Sequence, residues 1–226
     1  MASTQLALDL PFRPALGAAD FVVSDSNRDA VAWLDRWPDW PGRVLAIHGP
    51  AGCGKTHLAH VWQARSSAQI LAVADASALP PRAAVILEET GDIELSPEKQ
   101  VALFHFLNRL REQEGYLLLL SQVAPARWPA TLPDLASRLA AIPAIAVAAP
   151  DDRLLSAILI KHFADRQLTV GDDVINFLTR HIERSFAAAA QSVAAIDRAA
   201  LSSRRRVTLP LVREIIGQNS DEDRQA

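Results

Sequence analysis

Val44-Leu45-Ala46-Ile47-His48, followed by Gly49-Pro50-Ala51-Gly52-Cys53-Gly54-Lys55-Thr56, decides how this chain is read. The first five residues form a short apolar run bounded by Gly42 and Gly49, the pattern of a buried parallel strand. The next eight fit G-x-x-x-x-G-K-[ST] at every position, and the residues from Thr56 to about Ser66 have helical character. Strand, glycine-rich loop and helix in that order are the setting in which such a loop cradles phosphate. Glycines let the backbone aim successive N–H groups inward, and the helix N-terminus adds partial positive charge. Here Gly49, Pro50, Ala51, Gly52, Cys53 and Gly54 would form the cradle. Lys55 would bring a point charge to the β- and γ-phosphates, and the Thr56 hydroxyl can ligate Mg²⁺. The expected ligand is therefore a nucleoside di- or triphosphate, ADP or ATP, with Mg²⁺. Cys53 occupies a variable position of the loop and reads as incidental, not as a redox thiol.

Working outward, strands and helices alternate over residues 44–148. Further strands are expected at Ile70–Val73, Ala83–Leu87, Leu117–Leu120 and Ile142–Val147. A helix opens at Ser96-Pro97, with Ser as cap, Pro in the first turn, and Val101, Leu103, Leu107 and Leu110 at roughly helical spacing. Ser26 and Asn27 can cap an earlier helix that runs to about Trp37. From Pro150 the strand signals stop. Asp151/Asp152 and Asp172/Asp173 open two helices, Ala187–Leu201 forms a third, and Thr208-Leu209-Pro210 starts a short fourth. The fold class is α/β: a P-loop core with a parallel five-stranded sheet, then a small α-helical lid. The expected division is a tail over 1–20, the core over 21–149, the lid over 150–220 and a frayed polar end over 221–226.

Composition narrows the class. The chain has 226 residues, half of them hydrophobic, enough for one sizeable core with a small second lobe. A net charge of −3 argues against a broadly basic nucleic-acid binder. One cysteine excludes an intramolecular disulfide framework and fits a reducing, cytoplasmic setting. No apolar run approaches a membrane span.

Hydrolysis at a P-loop needs an acid at the end of a neighbouring strand to hold Mg²⁺ and a carboxylate to orient water. Ala84-Val85-Ile86-Leu87-Glu88-Glu89 is the best candidate, with Glu88 at the metal and Glu89 at the water. A solvated acidic strand end is the plainer alternative.

Three further segments carry a resemblance. Gln5-Leu6-Ala7-Leu8-Asp9-Leu10 is followed by Phe12, Leu132-Pro133-Asp134-Leu135-Ala136-Ser137-Arg138-Leu139 precedes the last strand, and the stretch from Ile196-Asp197-Arg198 to Thr208-Leu209-Pro210 lies toward the end of the lid. With the P-loop, and with Phe21-Val22-Val23 ahead of Ser26-Asn27, they resemble the DnaA/Hda family of AAA+ ATPases over nearly the whole chain. That resemblance implies that Gln5, Leu6, Leu8, Leu10 and Phe12 form a peptide that docks on the β-subunit sliding clamp of DNA polymerase III. It implies that Arg138 is an arginine finger acting in trans on ATP held by the DnaA initiator. Replication initiation would be turned down, with DNA contacted only indirectly. Read physically, Gln5 and the leucines suit extended-peptide docking, or a strand folding back on its own core. Arg138 falls between a predicted helix and the strand Ile142–Val147, a place that would present it at the core's edge; a surface ion pair is the alternative. Arg204-Arg205-Arg206 reads as a solvated loop.

Departures from the family pattern bear on turnover. Glu88 stands where Asp is usual, and the sensor position after the fourth strand falls on Gln122, with Ser121 beside it. The lid position usually held by Arg is Ala187, with Arg184 one turn earlier. Weak intrinsic ATPase activity is the expectation. The competing reading is an autonomous AAA+ ATPase of helicase-loader or clamp-loader type, with a small-molecule kinase a more distant third. Self-association is compatible with either of the first two. Initiators of this family continue into a helix-turn-helix module that reads duplex DNA, and no such module follows in these 226 residues.

Overall fold

The computed structural model describes residues 22–71, 79–88, 95–203 and 205–222. Five strands, β1 (Val44–His48), β2 (Gln69–Leu71), β3 (Ala84–Glu88), β4 (Tyr116–Ser121) and β5 (Ala144–Ala146), form one sheet in the order β2-β3-β4-β1-β5, every pair parallel. Period-two alternation sends its side chains into two cores. Leu45, Ile47, Ile86, Leu118 and Leu120 face one side, where they meet Ala30, Val31 and Leu34 of α1 (Arg28–Asp35) and Leu58 and Trp62 of α2 (Lys55–Ser66). Ala46, Val85, Leu87, Leu117 and Leu119 face the other, against Leu103, Phe106 and Leu110 of α3 (Pro97–Glu112) and Leu135 and Leu139 of α4 (Pro133–Ala141). Each fully buried leucine contributes about 2 kcal/mol, so both sheet faces hold their helices firmly.

The remaining helices, α5 (Asp152–Asp165), α6 (Asp172–His181), α7 (Phe186–Ser203) and α8 (Leu209–Glu222), bury Leu155, Phe163, Leu178, Val193, Ile196 and Val212 in a separate helical core. Asp151 caps α5 by accepting from the Leu154 N–H at 2.7 Å. The N-terminal approach spans both lobes. Val23 packs on the sheet core and Val22 on the helical core, while Asn27 donates to the Val22 carbonyl at 3.0 Å and accepts from the Ser24 N–H.

Several expectations need correction. Arg138 lies inside α4, in its last turn, because Pro133 opens a helix whose Leu135 and Leu139 sit one turn apart on the buried face. Val101 points outward, 46% exposed; its neighbour Gln100 takes the inner face of α3. The fourth lid helix is 14 residues long and not short, reaching Glu222. Among the described residues, no helix is long and apolar enough to cross a membrane.

Candidate nucleotide-binding site

A parallel sheet brings all its strand C-termini to one edge, and the site assembles there. The P-loop follows β1, Gln122 follows the adjacent β4, and Glu88 ends β3, the next strand along. Register pairs His48 with Ser121 and Glu88 with Leu120, which sets the three contributions level.

Two loop glycines are required by conformation and by space. Gly52 has φ +69° and Gly54 φ +100°, left-handed angles that side chains resist. A Cβ on Gly52 would lie 2.6 Å from the Cβ of Ser185, and one on Gly54 would lie 3.0 Å from the Phe186 ring. The lid therefore rests directly on the loop. The Phe186 N–H donates to the Gly52 carbonyl at 3.0 Å, tying the first residue of α7 to the cradle.

The Lys55 ammonium donates to the carbonyls of Gly49 and Pro50, at 2.8 Å each. The Thr56 hydroxyl donates to the Glu88 carboxylate at 2.7 Å. Cys53 is buried beneath the loop, its Sγ 3.9 Å from the Lys55 nitrogen. Burial raises its pKa and outweighs the lowering by Lys55, so the thiol stays protonated and unreactive.

Core and lid enclose a cleft of about 610 Å³. Ala51, Gly52, Gly54, Lys55, Thr56, Glu88 and Gln122 line its core side, while Ile158, Lys161, His162, Asp165 and Ala187 line the lid side. Gln122 thus reaches the cleft, whereas the buried Ser121 hydroxyl is spent on the Val123 carbonyl at 2.7 Å. Burial, then the charges of His60 and Lys161, lower the pKa of His57 beside Thr56.

The residues present fit a nucleotide with Mg²⁺. The loop is a cradle that added side chains would fill, and the Thr56–Glu88 pair offers the hard oxygen donors Mg²⁺ requires. Among the described residues no three His, Cys, Asp or Glu side chains gather into a metal cage. A cation here would complete its shell with phosphate oxygens and water. Glu89 and the peptide Gln5, Leu6, Leu8, Leu10 and Phe12 lie outside the described residues, as do Phe21 and Arg204. Arg205 pairs with Glu214 at 3.6 Å, on the surface.

Arg138 is not in this cleft. It lines a second hollow of about 500 Å³ together with Val44, Gly115 and Pro143, residues at or just before the N-terminal ends of β1, β4 and β5. Its guanidinium lies 4.8 Å over the Phe104 ring. The length of β1, about 13 Å at 3.3 Å per residue, separates that edge from the P-loop.

Sequence reasoning missed Gln100, which positions the Arg138 helix. Its amide oxygen accepts from the Thr131 N–H, the Thr131 hydroxyl and the Leu132 N–H at 2.8, 3.1 and 3.1 Å, immediately ahead of α4. Its NH₂ donates to the Leu95 carbonyl. A glutamine on the core-facing side of α3, among Leu103, Phe106, Leu107 and Leu110, was the available signal.

Residues 151–216 match the family model described as Hda, lid domain. The C-terminal lobe is thus similar to the Hda lid. This lobe supplies Lys161, Phe186 and Ala187 to the cleft. A Haemophilus influenzae protein described as uncharacterized is 26% identical over 184 residues, 75% of this chain and 80% of its own length. Domain III of the Thermotoga maritima replication initiation protein DnaA superposes with a TM-score of 0.72 at 17% identity, covering 92% of this chain and 98% of that one. AMPPCP-bound DnaA from Aquifex aeolicus gives 0.65 at 17%, covering 84% and 67%. These likenesses show an α/β AAA+ fold, with a C-terminal lobe similar to the Hda lid.

Proposed function

We propose that the chain is a nucleotide-binding regulator of replication initiation. It docks on the sliding clamp and promotes hydrolysis of ATP held by the DnaA initiator, with Arg138 supplied in trans. The observation that carries this reading is the placement of Arg138 at the strand ends opposite the chain's own P-loop. An arginine there cannot serve the phosphates of its own site. Presented on a helix end, it can reach a neighbour's.

The division of labour follows from the residues. Gly52 and Gly54 keep the loop open to phosphate, Lys55 offsets its charge, and Thr56 with Glu88 would hold Mg²⁺. A nucleotide bound between core and lid supplies charge that draws the two lobes together. Arg138 would neutralise charge developing on the partner's terminal phosphate, an effect worth a factor of about 10³–10⁵ in known cases. Gln5, Leu6, Leu8, Leu10 and Phe12 would tether the chain to the clamp, raising the local concentration of Arg138 without new contacts to the initiator.

Turnover of initiator-held ATP, measured with clamp loaded on DNA, tests the proposal. Wild-type chain should stimulate turnover and Arg138→Ala should not; equal stimulation by both removes the finger. The Thr56–Glu88 contact favours a second reading, an autonomous ATPase of loader type. Steady-state hydrolysis by the purified chain alone, abolished by Glu88→Gln and Glu89→Gln, would favour that reading instead.

A further inference from the structure

Among the described residues, no arginine lines the lid wall of the cleft, where the family resemblance implies one. Ala187 lines the cleft but has only a methyl group to offer an anion. Arg184, one turn earlier, is held 2.6 Å from Asp152 and is not among the cleft's lining residues. Another lid cation is. Helix α5 turns Leu154, Leu155, Leu159 and Phe163 into the lid core, and this aims Ile158, Lys161, His162 and Asp165 at the cleft as a stripe with i, i+3, i+4, i+7 spacing. Lys161 sits half-buried in that stripe and faces the same space as Lys55, Thr56, Glu88 and Gln122.

We propose that Lys161 is the lid-side contact for the terminal phosphate of a bound nucleoside triphosphate, a positioning residue that makes lid closure sensitive to the third phosphate. This rests on the nucleotide reading above and adds to it the group that tells triphosphate from diphosphate. Thr56 and Glu88 mark the metal end of the phosphate chain, where β- and γ-oxygens meet the cation. Lys55 lines the cleft from the core and Lys161 from the lid, so a phosphate chain bound there would lie between two cationic side chains. A diphosphate is satisfied by the loop and Lys55. A third phosphate brings added negative charge toward the lid wall, and a lysine's flexible stem lets its ammonium follow the anion. Asp165, one turn further along the stripe, keeps that wall from being uniformly positive without nucleotide.

The test is calorimetric titration of the full-length chain with MgATP and with MgADP, for wild type, Lys161→Gln, Lys161→Arg and Arg184→Gln. Lys161→Gln should weaken ATP about tenfold or more and ADP less than about twofold, the size expected for one charged hydrogen bond. Lys161→Arg should retain most of the ATP affinity, and Arg184→Gln should leave both nucleotides unchanged. Retained ADP binding shows that Lys161→Gln is folded. An unchanged ATP-to-ADP ratio in Lys161→Gln, or equal loss of both, overturns the role of Lys161 and leaves the nucleotide reading standing. A change in the ratio on Arg184→Gln alone assigns the role to Arg184. A wild-type chain that binds neither nucleotide overturns the nucleotide reading, and the role of Lys161 with it.

Discussion

The Thr56 hydroxyl and the Glu88 carboxylate are joined by a 2.7 Å hydrogen bond that spans 32 positions of sequence. Two oxygen groups from different elements meet because β3 ends level with the start of α2, across the intervening β4. The pair would hold Mg²⁺ beside the phosphate loop in the function proposed above. Glu88→Gln keeps the shape and removes the charge, so it should cut the gain in ATP affinity on adding Mg²⁺ about tenfold. Affinity in EDTA should hardly change. Titrations with and without Mg²⁺ check this, and an undiminished Mg²⁺ effect would move the metal elsewhere.

Gly52→Ala should disturb the lid as well as the loop. The new methyl would meet the Ser185 Cβ at 2.6 Å, at a φ of +69°. Strain and overlap together predict a loss of about 2 kcal/mol of stability. They also predict loss of the Phe186-to-Gly52 hydrogen bond, and with it nucleotide affinity. Thermal melts and nucleotide titration report the two effects separately; wild-type values for both would mean that the lid does not rest on the loop.

Gln100→Leu should act on Arg138 from a distance. Removing the amide strips the partner from two backbone N–H groups ahead of α4, at a cost of about 2 kcal/mol. Stimulation of the partner's ATP turnover should fall severalfold, while the chain's own nucleotide affinity stays level. A parallel fall in both would show general unfolding and not displacement of α4.

Stability should decline on mild acidification. Burial, then Arg127 and Lys55, lower the pKa of His48. Burial, then Arg166, lower that of His162; Asp165 pulls the other way, and Lys161 adds the smallest lowering. In the unfolded chain both return to the ordinary histidine value near 6.5. As pH falls through that value, the unfolded state takes up protons that the folded state resists, so stability is full above it and drops below it. Melts between about pH 5 and pH 8 should show this, and His48→Asn with His162→Gln should make the acid limb shallower, leaving the share of His57, whose pKa burial also lowers. A transition temperature unchanged across that range would count against neutral, partly buried imidazoles.

What could be read from the sequence was local. The P-loop is eight consecutive residues, and glycine, lysine and threonine at fixed spacing state the chemistry directly. The strands of the buried sheet announced themselves as apolar runs, which is why β1 falls at Val44–His48 as expected. Arg138 was harder: Pro133 opens the helix and Leu139 still belongs to it, but without the opposing face of α3 the helix gives no sign of continuing past it. Gln100 gave one sign, a polar side chain among the core-facing apolar positions of its helix, and Lys161 gave none. Each is an ordinary polar residue on a helix, and its role comes only from what folding sets opposite it: the turn before α4 for Gln100, the wall of the nucleotide cleft for Lys161.

The central claim is that Arg138 works on a neighbour's nucleotide and not on its own. The most direct measurement determines, for one preparation of Arg138→Ala, both the affinity of the chain for its own nucleotide and its stimulation of initiator-held ATP turnover with clamp on DNA. Own-nucleotide affinity should stay within about twofold of wild type, and stimulation should fall by a factor of about 10³ or more. A variant that stimulates as well as wild type, or that loses its own nucleotide, would contradict it.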